Sequence, residues 1–188
     1  MWNVNGAYAF HAYDSGAAAV TGMDITPATA EFHSLNATRN NAVRFVQGDI
    51  DSQTTLDAIG PHDLVFCSGV LYHVPDPIHT IEQLRKICRS TLILDSATIP
   101  EREEPNAAIF FPTLDTATRQ RLTFETPHAK VGLDSDFDTE KGYSNWFWGM
   151  TPSCVQALAV VAGFEVVESY VFRRVVTLVC RPSLQVAY

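Results

Sequence analysis

The stretch Asp63-Leu-Val-Phe-Cys-Ser-Gly-Val-Leu-Tyr-His-Val-Pro-Asp-Pro77 constrains the fold more than any other part of the chain. It opens with an acid and a short apolar run, Leu64 to Cys67, too short for a helix and suited to a buried parallel strand. Ser68 and Gly69 break the run, and small residues there let a ligand come close to the backbone. Val70 to Val74 then forms an apolar loop carrying Tyr72 and His73. Asp76 and Pro77 supply an N-cap and a first-turn proline. The segment reads as strand, loop and helix start. In an open α/β sheet, ligands bind at the loops on the carboxyl ends of the strands.

The rest of the chain repeats that rhythm. Gly6 to Ser15 reads as a helix ended by Gly16. A strand from Ala18 to Ile25 carries Asp24 near its carboxyl end. Thr26 and Pro27 are expected to cap a helix running to about Asn36. Val43 to Gln47 is a short strand, Gly48 to Asp51 the loop after it, and Ser52 to Ile59 a short helix closed by Gly60. Ile78, Ile81, Leu84 and Cys88 recur at helical spacing, and Thr91 to Asp95 is the next buried strand. Strand alternating with helix implies a parallel, doubly wound α/β sheet. From Ser96 to Met150 the rhythm stops, with Pro100, Pro105, Pro112 and Pro127 breaking long elements and Phe110, Phe111, Phe124, Trp146, Phe147 and Trp148 adding aromatic bulk. So long an irregular stretch inside a domain points to function. Thr151-Pro152 restarts the pattern with a capped helix. Phe164 to Phe172 and Val175 to Cys180 read as an antiparallel pair at the sheet edge.

Length and charge bound the function. A chain of 188 residues is expected to be one domain, residues 1–188, with 97–150 as a substrate-side insertion. No apolar run approaches the roughly 18 residues of a membrane span, and the N-terminus lacks the character of a signal peptide. A net charge of −8 argues against bulk attraction to nucleic acid. The cysteines, Cys67, Cys88, Cys154 and Cys180, are scattered with no C-x-x-C pair, as expected of buried free thiols in a reducing cytoplasm. Six histidines without close pairing give no case for a catalytic metal. The run Asp134-Ser-Asp136-Phe-Asp138 has a calcium-loop look, but Thr139 and Asn145 stand where such a loop needs a glycine and an acid. Calcium is not expected there.

"GVLYHVPDP", residues 69–77, resembles the "GVLYH…P" signature of a branch of class I S-adenosylmethionine-dependent methyltransferases that includes tRNA wobble-uridine-modifying enzymes. The resemblance covers most of the chain, is strongest from Ala19 to Asp95, and thins over the insertion. It implies a Rossmann-like, mostly parallel sheet with an antiparallel last strand, and S-adenosylmethionine as cofactor. In "GMDIT" it implies that Asp24 accepts the ribose hydroxyls, beside Ile25. In "GDI" it implies that Asp49 accepts from the adenine amine while Ile50 packs on the ring. Ser68, after the fourth strand, joins this set. Gly6 matches the glycine that opens the first helix, with Asn5 before it as a polar contact to the methionine part.

Trp2 falls where the first glycine of the family would stand, and the strand before it is missing. That strand is the central one of the sheet, so its neighbours should lose hydrogen-bond partners. Either the chain is shortened at its N-terminus, which is the expectation, or another element fills the gap, and donor binding is in question even within the family. Tyr72 and His73 should line the floor where donor and acceptor meet. His73 is expected either as a general base or as a ring bonded to loop backbone. "GYSNWFWGMTPS" resembles the "NWW…TP" region of some relatives, making Asn145, Trp146 and Trp148 candidates for acceptor contact.

The expected function is methyl transfer to a small molecule or modified nucleoside. Competing readings are a non-catalytic methyltransferase-like subunit, a tRNA-modifying enzyme using a derivative of the methyl donor, and, less well matched, a nicotinamide-dependent Rossmann enzyme. Oligomeric state is left open by the sequence.

Overall fold

A computed structural model describes residues 5–122, 124–125, 130–131 and 137–183. Trp2, Pro127, the side chain of Phe124 and the Asp134–Asp136 part of the calcium-like run lie outside the described residues. The chain divides into two compact units, Met1–Pro61 and His62–Tyr188.

The first unit contains α1 (Ala7–Asp14), β1 (Val20–Asp24), α2 (Ala30–Ala37), β2 (Val43–Gln47) and α3 (Gln53–Ile59). β1 and β2 pair in parallel, with Asp24 opposite Gln47. Helix α1 ends in a Schellman motif: the N–H of Gly16 bonds Tyr13 O, and that of Ala17 bonds Ala12 O. Gly6, before the helix, has φ of +80°, and a Cβ there would lie 2.6 Å from Phe32 and 2.7 Å from Phe10. Phe10, Phe32 and Val43 form the core, with Phe45 against them. The Phe10 and Phe32 rings stack at 5.2 Å. Full burial of each such ring is worth about 2 kcal/mol. Buried Asn36 locks helix to strand: its Nδ2 donates to Val43 O and its Oδ1 accepts from Val43 N, at 2.8 and 3.1 Å. Helix α2 starts later than its sequence suggests. Thr29, not Thr26, is its N-cap, accepting from Phe32 N, because Thr26 is bonded to Asp24 instead.

The second unit contains β3 (His62–Ser68), a 3₁₀ turn (Leu71–His73), α4 (Pro77–Ile87), β4 (Cys88–Ala97), β5 (Ala108–Phe110), α5 (Thr116–Leu122), β6 (Phe124–Glu125), β7 (Lys130–Val131), a second 3₁₀ segment (Thr139–Ser144), β8 (Trp148–Met150), α6 (Pro152–Val161), β9 (Phe164–Phe172) and β10 (Val175–Pro182). Its main sheet has the order β3-β4-β10-β9. β3 and β4 run parallel, and β10 is antiparallel to β4 and β9. The small pairs β5·β8 and β6·β7 lie outside this sheet. Asp76 caps α4 through His79 N, and Thr151 caps α6 through Cys154 N, each followed by the expected proline. Helix α4 stops at Ile87, so Cys88 opens β4 rather than closing the helical stripe.

One face of the main sheet is buried. Val65, Cys67, Leu92, Leu94, Val176, Leu178 and Cys180 alternate inward, and Ile81, Leu84, Val155 and Ala159 of α4 and α6 are buried with them. The other face is more open. Leu64 is 54% and Phe66 37% exposed. The expectation of a fully buried β3 is therefore corrected. Alternation sends every second residue to a face that α4 and α6 do not cover. Among the described residues β1 pairs only with β2, and β3 only with β4. All four cysteines are buried and free, and burial pushes the Cys67 and Cys180 thiols up to about 12. No described helix is long and apolar enough to cross a membrane.

Candidate active site

The first unit gathers two acids on neighbouring loops. Asp24 ends β1 and Asp49 follows β2. The loops are laced together: Gly48 N donates to Asp24 O at 3.0 Å, and Gln47 Nε2 to Ile25 O at 3.4 Å. Gly48 also lets α3 pack close behind this loop, since a Cβ there would stand 2.3 Å from Thr55 Oγ1. The Asp24 carboxylate is only 5% exposed. Its Oδ1 accepts from the Thr26 N–H and hydroxyl at 2.9 and 2.8 Å, which fixes its orientation. Asp49 Oδ1 accepts from Asp51 N at 3.0 Å, tightening its loop. Of the two isoleucines, Ile50 is buried and Ile25 is 40% exposed. The apolar surface open to a planar ring therefore belongs to Ile25.

Asn5 and Gly6 are engaged inside the protein. Asn5 Oδ1 accepts from Ala7 N at 3.2 Å at the start of α1. The space left by the absent Gly6 side chain is filled by Phe10 and Phe32 rather than open to a ligand. The first unit thus presents two acids, Asp24 and Asp49, one exposed apolar side chain, Ile25, and a fixed loop backbone.

The second unit brings together the two motifs that the sequence keeps about 70 residues apart. The N–H of Phe147 donates to Tyr72 O at 2.8 Å, and Trp148 Nε1 donates to Pro75 O at 3.0 Å. His73 Nδ1 lies 2.7 Å from Asn145 O. The Trp146 ring stacks on Tyr72 at 4.1 Å and stands edge-on to His73 at 5.7 Å. Trp148 leans against Phe110 at 4.9 Å. Trp146 also packs against the buried pair Ile99 and Phe111.

A carbonyl oxygen can only accept, so His73 Nδ1 carries the proton and Nε2 presents a lone pair. Burial pulls the His73 pKa down to about 4, against a smaller opposing effect of the Asn145 carbonyl. At neutral pH the ring is a hydrogen-bond acceptor and a weak base. This geometry matches the backbone-bonded expectation and disfavours the general-base one, because effective bases have pKa values near the working pH. Burial, with help from Asp95 and Cys67, pushes the Tyr72 phenol up to about 12, which keeps it a donor.

Asn145 is turned inward. Its Oδ1 accepts from Asp138 N, while Nδ2 donates to Asp138 O and Gly142 O at 2.6 and 2.9 Å. At 6% exposure it holds the 138–145 loop and offers His73 its carbonyl, which corrects the expected acceptor contact. Ser68 Oγ donates to Asp95 Oδ1, and Thr177 Oγ1 donates to Asp95 Oδ2, both at 2.9 Å. Asp95 was legible only as a strand end. Its role in orienting Ser68 needed the register of β3, β4 and β10, which a single sequence does not give. Among the described residues no group of three or more His, Cys, Asp or Glu could hold a metal ion.

Comparison with known proteins agrees with this architecture. Residues 4–93 match the family described as Methyltransferase domain. The chain has the class I methyltransferase fold, as the solved structures below show. It is 30% identical over 157 residues to the tRNA U34 carboxymethyltransferase of Wolinella succinogenes, covering 72% of this chain and 56% of that relative. The chain thus spans little more than half the length of that protein. Among solved structures it is similar to the 1,6-didemethyltoxoflavin-N1-methyltransferase of Burkholderia thailandensis with bound S-adenosylhomocysteine. There the TM-score is 0.62 at 15% identity, covering 95% of this chain and 67% of the other. Magnesium protoporphyrin IX methyltransferase from Synechocystis superposes with a TM-score of 0.57 at 18% identity, over 95% and 70% of the two chains.

Proposed function

We propose that this chain binds S-adenosylmethionine and transfers its methyl group to a small-molecule or modified-nucleoside acceptor. The observation that carries the reading is the pair of laced loops after β1 and β2. They hold Asp24 and Asp49 on adjacent backbone, with Gly48 N bonded to Asp24 O. Asp24, oriented by Thr26, accepts from the ribose hydroxyls. Asp49 accepts from the adenine amine, and Ile25 covers the ring. When bound, S-adenosylmethionine supplies an electrophilic methyl on a sulfonium, so the protein's task is mainly positioning and water exclusion. Trp146 and Trp148 offer an aromatic surface to a planar acceptor, with buried Tyr72 stacked on Trp146, and neutral His73 accepts a hydrogen bond through Nε2. The wobble-uridine relative supports a nucleoside acceptor, and the toxoflavin enzyme supports a small heterocycle. Four buried free thiols suit a reducing cytoplasm.

A second reading rests on Asn5 and Gly6, both used within the protein. It makes the chain a methyltransferase-like subunit that does not use the donor. Amide NMR titration with S-adenosylhomocysteine separates the two. Enzyme use requires shifts at Ile25, Thr26, Gly48, Asp49 and Ile50. A spectrum unchanged at those residues would sink the donor assignment and favour the subunit.

A further inference from the structure

The second unit contains a cleft of about 280 Å³ that the methyl-transfer reading does not employ. Its lining includes Arg102, Arg121 and Arg174, one acid, Glu101, and the apolar Ile99 and Pro100. The three arginines come from three separate segments: the stretch after β4, helix α5, and the turn between β9 and β10. Three of the chain's 13 Lys and Arg residues meet here, in a protein of net charge −8. Glu101 offsets one of these charges and leaves the arginines in excess, and its carboxylate is oriented by Ser153. Ser153 N donates to Oε1 at 2.7 Å and Ser153 Oγ to Oε2 at 2.8 Å.

The cleft wall is fixed. Thr98 N donates to Arg174 O at 2.8 Å, and Ile99 N to Met150 O at 2.9 Å. Arg121 Nη2 donates to Thr118 Oγ1 at 3.0 Å, which steadies its guanidinium while other N–H groups of its five remain. A carboxylate is satisfied by one guanidinium fork, whereas a phosphate dianion presents three oxygens and accepts from several. The volume lies just below the range of drug-sized ligand clefts, roughly 300–1,000 Å³, and suits a head group rather than a large ligand. We propose that this cleft binds a phosphate group through Arg102, Arg121 and Arg174. The phosphate belongs either to a free phosphate ester or to a nucleotide chain, and both present the same chemistry.

The test is calorimetric titration in phosphate-free buffer with inorganic phosphate, cytidine, cytidine 5′-monophosphate and a short oligocytidylate. None of these is a methyl donor, so the outcome is independent of the reading above. Binding of the monophosphate but not of cytidine is expected, with a Kd below roughly 1 mM. The double variant Arg102→Gln/Arg121→Gln should weaken it at least about tenfold, because charge-assisted forks are lost. Both side chains are exposed, so the variant should keep the wild-type melting temperature. Arg89→Gln removes the same charge from an exposed site on β4 outside the cleft and should leave binding unchanged. Tighter binding of the oligonucleotide through the same arginines assigns the ligand to a nucleotide chain; equal binding assigns it to a phosphate ester. Failure of phosphate and monophosphate to bind, or equal weakening by Arg89→Gln, would overturn the proposal.

Discussion

His73 shows how burial sets the chemistry of one side chain. Its folded pKa, about 4, lies below the unfolded value near 6.5. Above pH 6.5 neither state carries the proton, and the stabilisation is fully present. As pH falls the unfolded chain protonates first, so stability drops and the loss is complete below about pH 4. The shift corresponds to something on the order of 3 kcal/mol. Thermal melts between pH 7 and pH 4 should therefore show a steeper loss for the wild type than for His73→Gln. Parallel pH dependence of the two proteins would contradict the burial of a neutral ring. Gly48 makes the same point for size. Gly48→Ala drives a Cβ against Thr55 and should cost about 1–3 kcal/mol by overpacking. Adding Thr55→Ala should recover most of that loss in denaturant titrations. Candidate residues at this scale were legible as types in a pattern. What they touch was not: Asp24, Asp49 and His73 are in the sequence, but the Thr26 and Asn145 contacts that orient two of them are long-range or turn-specific.

At the scale of elements, the Asn145 amide ties the loop from Asp138 to Asn145 through three part-buried hydrogen bonds. Asn145→Ala removes all three and leaves Asp138 N without that partner, while Asp138 O and Gly142 O keep backbone donors in Lys141 and residue 145, so a loss of roughly 1–3 kcal/mol is expected. The variant should melt earlier and show altered tryptophan fluorescence, because Trp146 follows directly and stacks on Tyr72. Unchanged fluorescence and stability would show that the loop is held by other means. Helix starts at Pro77 and Pro152 were readable because N-cap and proline chemistry is local. The start of α2 was misplaced because Thr26 serves Asp24, a competing local bond. The pairing of residues 72–75 with 145–148 was invisible, since it joins segments far apart in the chain and follows no period.

The whole molecule holds two parallel strand pairs, β1·β2 in the first unit and β3·β4 in the second. It also predicts thiol behaviour. All four cysteines are buried, and burial raises Cys67 and Cys180 to about 12. A thiol reagent at pH 8 should find essentially no reactive cysteine in the native protein and all four after denaturation; rapid native labelling would contradict the packed sheet face. The central claim is that the loops after β1 and β2 hold the adenosine of a methyl donor. The most direct test is calorimetric titration of the chain with S-adenosylhomocysteine, beside Asp24→Ala. Micromolar binding to the wild type, lost in the variant, is the predicted result. A folded wild-type chain that takes up no ligand, or binding that Asp24→Ala leaves intact, would contradict it.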